Sequence, residues 1–277
     1  MGLRIATNVQ SINAQRQLGT NNVAQRDSLE RLSSGSRINK AADDAAGLAI
    51  SEKMRADIRS VRQDVRNAND GVSMIQTAEG GMNEIGNILV RFRELSIQAS
   101  SDTLGDVERG FIDKEVQQLK SEVTRIAATT EFNGKKLLSG SGESLDIQVG
   151  IHNNVEEDRF TYDTQKTNVS LAGLGLSSIS TQSKESARAN LDVVDSAMKG
   201  LVENRAELGA LQNRLSAAVN NLNVYDENLS QARSRIRDTD MASETAELTK
   251  NNILSQAGVS VLSQANQNNM MALKLLG

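Results

Sequence analysis

The residues that most often perform chemistry are scarce in this chain. It has one His, His152, and no Cys, which excludes disulfides, thiolate metal ligands and cysteine nucleophiles. One His cannot supply the paired ligands of a zinc motif such as HExxH, and a Ser-His-Asp triad built on it would have to lie in a flexible loop. We therefore expect no catalytic residue, no metal site and no cofactor, and we expect His152 to be a solvated loop residue.

Charged side chains could bind nucleic acid or stabilise helix ends. The 31 Lys and Arg residues are outnumbered by 35 Asp and Glu residues, which gives a net charge of -4. Phosphate contacts need clustered basic residues, so we expect no binding of nucleic acid. Asp43 and Asp44 stand just before a helical stretch, where a carboxylate complements the positive end of the helix dipole.

The elements that would position such residues are predicted to be long helices. Only 2% of the chain is aromatic, so buried surfaces must be built from aliphatic side chains, and the 277 residues include no Pro to interrupt a helix. Residues 57–99 repeat apolar side chains every three or four positions, with one interruption at Glu79. The clearest part of this pattern runs from Ile58 to Phe92. A helix of roughly 35 residues is about 50 Å long and needs partner helices. After a turn at 100–105, residues 112–126 repeat the pattern on a second helix.

The strongest periodicity is an apolar heptad series in the second half of the chain. It predicts a helix seam made of Val194, Leu201, Leu208, Leu215, Leu222 and Leu229. A coiled-coil heptad has a second apolar position, and from Arg205 to Arg233 this position is partly occupied by polar residues. We therefore expect that part of the seam to meet other chains or water. Between the helical regions, residues 132–183 contain an Asn133-Gly134 turn and two short alternating stretches, which predict a small β-rich tip.

Both ends of the chain are amphipathic helices without a charged face. Residues 5–15 and 251–273 carry no charged side chain and are rich in Asn, Gln and Ser. Their apolar positions are Ile5, Val9, Ile12, Leu254, Val261, Ala265 and Leu275. Buried amides make insertion into a membrane unfavourable. Each end would be marginal as an isolated helix, so we expect both to be disordered in a free monomer and to order on assembly. The first residues lack the apolar core of a secretory signal, which favours a cytosolic protein or another export route.

The sequence closely resembles bacterial flagellin in three segments. They are LRIATNV at 3–9, LERLSSGSRINKAADDAAGLAISEKMRADIR at 29–59, and QAGVSVLSQANQ at 256–267. The stretches RFRELSIQASSDT at 91–103, EFNGKKLL at 131–138 and SRIRDTDMASE at 234–244 look like the corresponding core segments. The resemblance covers nearly the whole chain and is to a short form without outer variable domains.

The resemblance implies a mainly α fold. Long antiparallel coiled-coil helices from both chain ends would form a hairpin-shaped rod, with a small β-hairpin-rich segment in the middle. By resemblance, residues 1–42 with 237–277 form the inner tube of a filament. Residues 43–236 form the outer-core domain, with its β-rich tip at about 132–183.

The resemblance also implies a structural function: a subunit exported unfolded by the flagellar type III system, which polymerises into the extracellular filament used for swimming. Its partners would be copies of itself, the flagellar cap and hook-filament junction proteins, and an export chaperone. The alternative is a hook-filament junction protein, which shares the terminal helices. A secreted coiled-coil effector would not need both uncharged ends, and a flagellin with a protease insert would need the zinc motif that is absent.

By the same resemblance, Arg91, Leu95, Gln98 and Glu115 correspond to positions contacted by the vertebrate innate-immune flagellin receptor and by neighbouring subunits. Leu95 directly follows the charged residues Arg93 and Glu94, so we expect its side chain to be exposed. The alternative interpretation is a surface ion pair between Arg91 and Glu115 that contributes little stability, with Leu95 in a subunit contact.

Overall fold

The protein is described by a computed structural model that covers residues 7–274. The helices are α1 (Val9–Ser34), α2 (Ala45–Ala99), α3 (Asp106–Thr129), the single turn α4 (Val155–Asp158), α5 (Lys184–Arg237) and α6 (Met241–Lys274). The strands are β1 (Glu131–Phe132), β2 (Lys135–Lys136), β3 (Leu145–Gln148) and β4 (Arg159–Tyr162). The mainly helical fold with a small β-hairpin region between long helices is thereby confirmed.

The chain divides into two compact units. Unit 1 contains Met1–Ala56 with Asn228–Gly277, and unit 2 contains Asp57–Glu227. The division expected from the resemblance, at 42/43 and 236/237, refers to layers of a filament and stays a prediction.

The Asp44 carboxylate caps the start of α2, and the Asp43 carboxylate holds the turn before it. Asp44 Oδ1 accepts the N–H of Gly47 at 2.8 Å, and Asp43 Oδ2 accepts the N–H groups of Asn39 and Lys40 at 3.0 and 2.9 Å. The backbone hydrogen bonds hold the pKa of Asp43 below its usual range. This capping explains why the helix begins at residue 45, ahead of the clear periodicity that starts at 57.

In unit 2, α2 packs antiparallel to α5. Ion pairs between them run in opposite residue order, from Arg93–Asp195 at 2.8 Å to Arg62–Asp226 at 3.0 Å. The apolar stripe of α2 is buried against its partners, and its fully buried members include Ala68, Ile75, Ala78, Met82, Ile85, Leu89 and Phe92. From α5 the seam residues Val194, Leu201, Leu208 and Leu215 are buried, whereas Leu222 and Leu229 are half-buried. α3 adds Ile112, Val116 and Val123 to this core.

Two polar positions of the α5 seam have partners within the chain that the sequence did not reveal. Arg205, which we expected to meet water or another chain, lies 3.4 Å from Glu79, the residue that interrupts the α2 stripe. Asp226 likewise pairs with Arg62 inside the chain. A polar pair therefore replaces an apolar contact along the seam. Arg205 and Asp226 are both partly exposed, so the expected contact with water is present, and contact with other chains stays a prediction.

Two antiparallel hairpins connect α3 to α5. β1 and β2 are joined by Asn133 and Gly134, which both have positive φ, 48° and 75°, as a tight hairpin turn requires. β3 pairs with β4 from Leu145 opposite Tyr162 to Gln148 opposite Arg159. The Tyr162 side chain is buried and its O–H donates to the carbonyl of Leu137 at 2.8 Å, while burial raises its pKa.

Two buried charged residues on α3 hold the ends of the other helices. Arg109 donates to the carbonyls of Ala99 and Ser101 at 2.9 and 3.0 Å, which satisfies acceptors left open where α2 ends. Asp113 Oδ1 accepts the N–H of Thr181 at 2.8 Å, and Oδ2 accepts from the Gln182 side chain at 3.1 Å. Burial acts to raise the pKa of Asp113, but these hydrogen bonds outweigh burial and hold the pKa below its usual range.

We expect Asp113→Ala to lower the free energy of unfolding by about 2–4 kcal/mol, because the buried donors at 180–182 lose a charged acceptor. The folded pKa lies below the unfolded value of about 4, so the stabilisation is complete above that value. It is lost as the pH falls through the folded pKa. Urea unfolding at a series of pH values measures both effects.

The matched control is Asp192→Ala, which removes an exposed carboxylate from α5 and should change stability by no more than about 0.5 kcal/mol. A difference between wild type and Asp113→Ala that stays constant from acid to neutral pH would contradict the assignment.

Candidate self-association surface

The terminal helices α1 and α6 lie antiparallel in unit 1 and are joined by side-chain amides. The bonds run from Asn8 Nδ2 to the carbonyl of Ala265 at 3.0 Å, from Asn21 Nδ2 to the carbonyl of Asn251 at 3.3 Å, and from Gln25 Nε2 to Asn252 Oδ1 at 2.6 Å. Asn8 also caps α1, since its Oδ1 accepts the N–H of Ser11 at 3.0 Å. The amides therefore fix the register of the two helices.

The interior of this helix pair is thin and largely polar. Ser11, Ser28, Asn251 and Ala265 are the buried side chains described on α1 and α6. At Gly258 the helices approach closely, because a Cβ there would lie 2.8 Å from Leu18 Cδ2. Asn251 Nδ2 is buried without a hydrogen-bond partner. The contact between α1 and α6 thus buries little apolar surface, and its hydrophobic stabilisation is small.

Several large apolar side chains of both helices face solvent instead. Val9, Ile12, Leu254 and Val261 are 56%, 55%, 46% and 56% exposed. Fully burying such a side chain is worth about 1.5–3 kcal/mol, so this surface is a large reserve of free energy for association. Of the other expected polymerisation residues, Ala265 is buried within the pair, while Ile5 and Leu275 lie outside the described residues.

Several exposed apolar residues on α1 and α6 were not among the polymerisation residues that we predicted from the sequence. They are Val23, Leu29, Ile253, Val259 and Met270. The uncharged stretch of α6 has no charged face that would mark the opposite face as the apolar one, so its association surface can extend around the helix. Residues 251–273 contain no charged side chain at all. Burying this stretch therefore requires no charge to be desolvated.

α1 and α6 are helices in the structure, whereas we expected both chain ends to be disordered before assembly. Hydrogen bonds from side-chain amides and the contact at Gly258 join the two helices, and the sequence did not reveal them. The thin interior means that most of the apolar surface is left for other copies. A dependence of their order on assembly stays a prediction.

A second candidate surface lies on α2 and α3. Arg91 Nε donates to Glu115 Oε1 at 2.9 Å and Arg91 Nη1 to Glu94 Oε2 at 2.9 Å, so the predicted surface ion pair is confirmed. Gln98, two turns further along α2, is also exposed. Our expectation that Leu95 is exposed was wrong, because its side chain is 1% exposed and belongs to the buried stripe of α2.

The sequence reasoning also missed an apolar part of this second region. Val107 and Phe111 stand one turn apart on α3 and are 67% and 62% exposed. Lys114 Nζ lies 5.5 Å from the centroid of the Phe111 ring. Both apolar residues lie on a different face of α3 from its buried side chains. This difference in helical position could have predicted their exposure from the sequence.

No chemical site is visible in residues 7–274. His152 is exposed in the loop between β3 and α4, where its carbonyl accepts from Gln148 Nε2 at 2.9 Å. The described residues contain no cluster of three or more His, Asp and Glu side chains that could hold a metal ion. Over the same range, none of the helices has the length and apolar character needed to span a bilayer.

Comparison with known proteins gives matches at both ends of the chain. Residues 5–143 match the family model of the bacterial flagellin N-terminal helical region, and residues 191–276 match that of the bacterial flagellin C-terminal helical region. A flagellin from Halalkalibacterium halodurans is 44% identical over 269 residues, with 97% of this chain and 98% of the relative covered.

Solved structures agree with the helical architecture. The crystal structure of Bacillus cereus flagellin superposes with a TM-score of 0.51 at 28% identity, covering 57% of this chain and 88% of that one. A putative flagellar hook-associated protein from Vibrio parahaemolyticus gives a TM-score of 0.57 at 11% identity, covering 71% of this chain and 100% of that one. The second likeness is one of fold alone.

We expect Val261→Asp to raise the concentration needed for self-association by at least about 100-fold, because burying an unpaired charge costs about 3 kcal/mol or more. Sedimentation after seeding with preformed fragments measures this concentration. Val261→Thr keeps the branched shape without a charge and should stay within about tenfold of wild type. Assembly of Val261→Asp at the wild-type concentration would exclude this face from the contact.

Proposed function

The chain belongs to the bacterial flagellin family, and we propose that it builds the flagellar filament by burying the apolar faces of α1 and α6 against neighbouring copies. Flagellin is a structural protein and the subunit of the filament. The observation that carries the proposal is the exposure of residues such as Ile12 and Val261 on helices whose ends have no charged face. Such a surface is stable in water chiefly when another copy covers it.

The proposed assembly needs contacts that do not close on themselves. Each copy would present one part of its surface to the copy above and a different part to the copy below, and repetition of this heterologous contact produces a helical fibre. Exposed amides along α1 and α6 can donate to carbonyls of a neighbour, as Asn8 and Asn21 do within the chain. These bonds supply direction to a contact that apolar burial alone leaves nondirectional.

We further propose that residues 1–42 with 237–277 form the inner tube and that residues 43–236 form the outer core. The separation of unit 1 from unit 2 supports a division into two parts, although it falls at slightly different residues. Unit 2 has the extended apolar core, so it can keep its structure while the ends rearrange.

Family membership supports the remaining parts of the proposal. The chain would be exported unfolded by the flagellar type III system with the help of an export chaperone. It would then assemble between the hook-filament junction and the flagellar cap into the extracellular filament. A hook-filament junction role has less support, because the hook-associated protein resembles this chain in fold alone. The flagellin relative, by contrast, matches almost its full length.

The full-length chain should grow long filaments from seeds, whereas versions lacking residues 1–42 or 237–277 should not, because each loses one member of the α1–α6 pair. Negative-stain electron microscopy of the three proteins checks this. Circular dichroism is the control, since the helices of unit 2 should remain in both truncations. Short rings formed by the full-length chain would instead indicate the junction protein, and no assembly despite seeds would contradict polymerisation.

We also propose that Arg91, Gln98 and Glu115 form a contact surface for the innate-immune flagellin receptor and for neighbouring subunits. Their side chains are exposed, and an exposed ion pair such as Arg91–Glu115 contributes at most about 1 kcal/mol to the fold. These groups can therefore change partners at little cost in stability. Leu95 would act indirectly, by holding α2 in place from the core.

We expect Arg91→Ala to weaken the response of a receptor-reporter cell to the monomeric protein by about tenfold or more, because a hydrogen bond to a charged group is worth about 1.5–3 kcal/mol. The matched control is Arg93→Ala, which removes an exposed arginine paired with Asp195 at 2.8 Å on the same helix. An equal loss for both variants would indicate a general charge effect, and an unchanged response to Arg91→Ala would contradict the assignment.

A further inference from the structure

The β3–β4 hairpin of unit 2 rests on a short part of α2. Asn67 Nδ2 donates to the carbonyl of Gln148 at 3.2 Å. One turn further along α2, Gly71 gives room to the buried Ile147, since a Cβ at Gly71 would lie 2.7 Å from Ile147 Cδ1. A hydrogen bond from the Asn67 side chain and a close apolar contact at Gly71 therefore help to hold β3 against α2.

Asp64 belongs to the same part of α2, one turn before Asn67. Its side chain is 5% exposed, and its Oδ2 is buried without a hydrogen-bond donor. No ion pair to Asp64 is present in residues 7–274. An ionised carboxylate in this position is unfavourable, because its Oδ2 has lost water without gaining a hydrogen-bond donor.

Asp158, where α4 meets β4, is the nearby carboxylate. It is 8% exposed, but its Oδ2 accepts the N–H of Asn154 at 2.9 Å. Its own carbonyl accepts the N–H of Val149 at 2.8 Å, which joins the end of β3 to the start of β4. Asp158 is therefore satisfied as a carboxylate and is part of the hairpin, whereas Asp64 is not satisfied.

We propose that Asp64 and Asp158 form a proton-dependent latch, which holds the β3–β4 hairpin on α2 most firmly when Asp64 carries a proton. Protonation of Asp64 removes a buried charge without a partner and ends its repulsion with Asp158. Loss of that proton favours local opening of the hairpin, because opening returns the Asp64 carboxylate to water.

The charges around the latch support a proton on Asp64. Burial, followed by the negative charge of Asp158, raises the pKa of Asp64 above its usual range. The basic groups on the elements packed here have other partners. Arg159 on β4 donates to Gln148 and Asn153, Arg62 on α2 pairs with Asp226, and Arg214 on α5 lies over the Phe160 ring.

The direction of the pH effect follows from the raised pKa. The docked hairpin binds a proton at pH values where the open hairpin has already released it. Docking is therefore strongest below the pKa of the open state and weakens as the pH rises through the pKa of the docked state. Within that window the opening equilibrium constant increases by at most about tenfold per pH unit, the limit for release of one proton.

The experiment uses the full-length monomer. Carbon-13 NMR titration follows the carboxyl group of Asp64, and hydrogen exchange of the Val149 amide, corrected for its intrinsic rate, follows opening of the hairpin. We expect Asp64 to titrate above the usual range of Asp and Val149 to lose protection over the same pH interval. The variant Asp64→Asn should remove this loss, because its side chain has no proton to release.

Two further variants separate the latch from general effects. Asp70→Asn removes an exposed carboxylate of α2 and should leave the pH profile of Val149 unchanged from wild type. Asp158→Asn keeps an oxygen for the N–H of Asn154 but removes the like charge, so it should lower the pH at which Asp64 titrates. Titration of Asp64 within or below the usual range, or a Val149 profile in Asp64→Asn identical to wild type, would overturn the latch.

Discussion

The packing of α2 against α5 in unit 2 is the interaction on which the other elements depend. Helices of 55 and 54 residues have apolar stripes too long to be covered by themselves, and each supplies the cover for the other. α3 then packs on the surface formed by this pair, and the two short hairpins add Leu137, Leu138 and Ile147 to the same core. Two-stranded hairpins of this size are marginal in isolation, so the helices make them possible.

Unit 1 also consists mainly of long helices, but their apolar side chains are less buried than those of unit 2. Unit 2 covers most of its leucines and isoleucines. α1 and α6 instead meet through amides, small residues and half-buried leucines such as Leu18, and they leave several large apolar side chains in solvent. The absence of charge on the ends of these helices lowers the free energy needed to bury them in an assembly. In the assembly that we propose, neighbouring copies of this flagellin would cover the apolar side chains that α1 and α6 leave exposed.

The hydrogen-bond partners of a buried carboxylate decide whether its charge stabilises the fold. Asp113 is buried with donors from the segment before α5, and it stays ionised and holds that segment to α3. Asp64 is buried without such donors, so its charge is a cost that a proton can remove. Glu79 and Arg205 are an intermediate case, in which two interruptions of apolar stripes meet and are half-exposed.

The sequence by itself determined the positions of the long helices, the Asn133-Gly134 turn and the α5 seam, because apolar period and turn preference are properties of neighbouring residues. Leu95 was misplaced because its charged neighbours were given more weight than the α2 stripe, which continues by three and four residues from Phe92 to Leu95 and Ala99. Only the tertiary structure decided that Glu79 meets Arg205, 126 positions away, and that α1 and α6 meet through amides. Local backbone geometry sets the face on which a side chain lies, whereas its partner is set by packing between distant segments, which no local pattern contains.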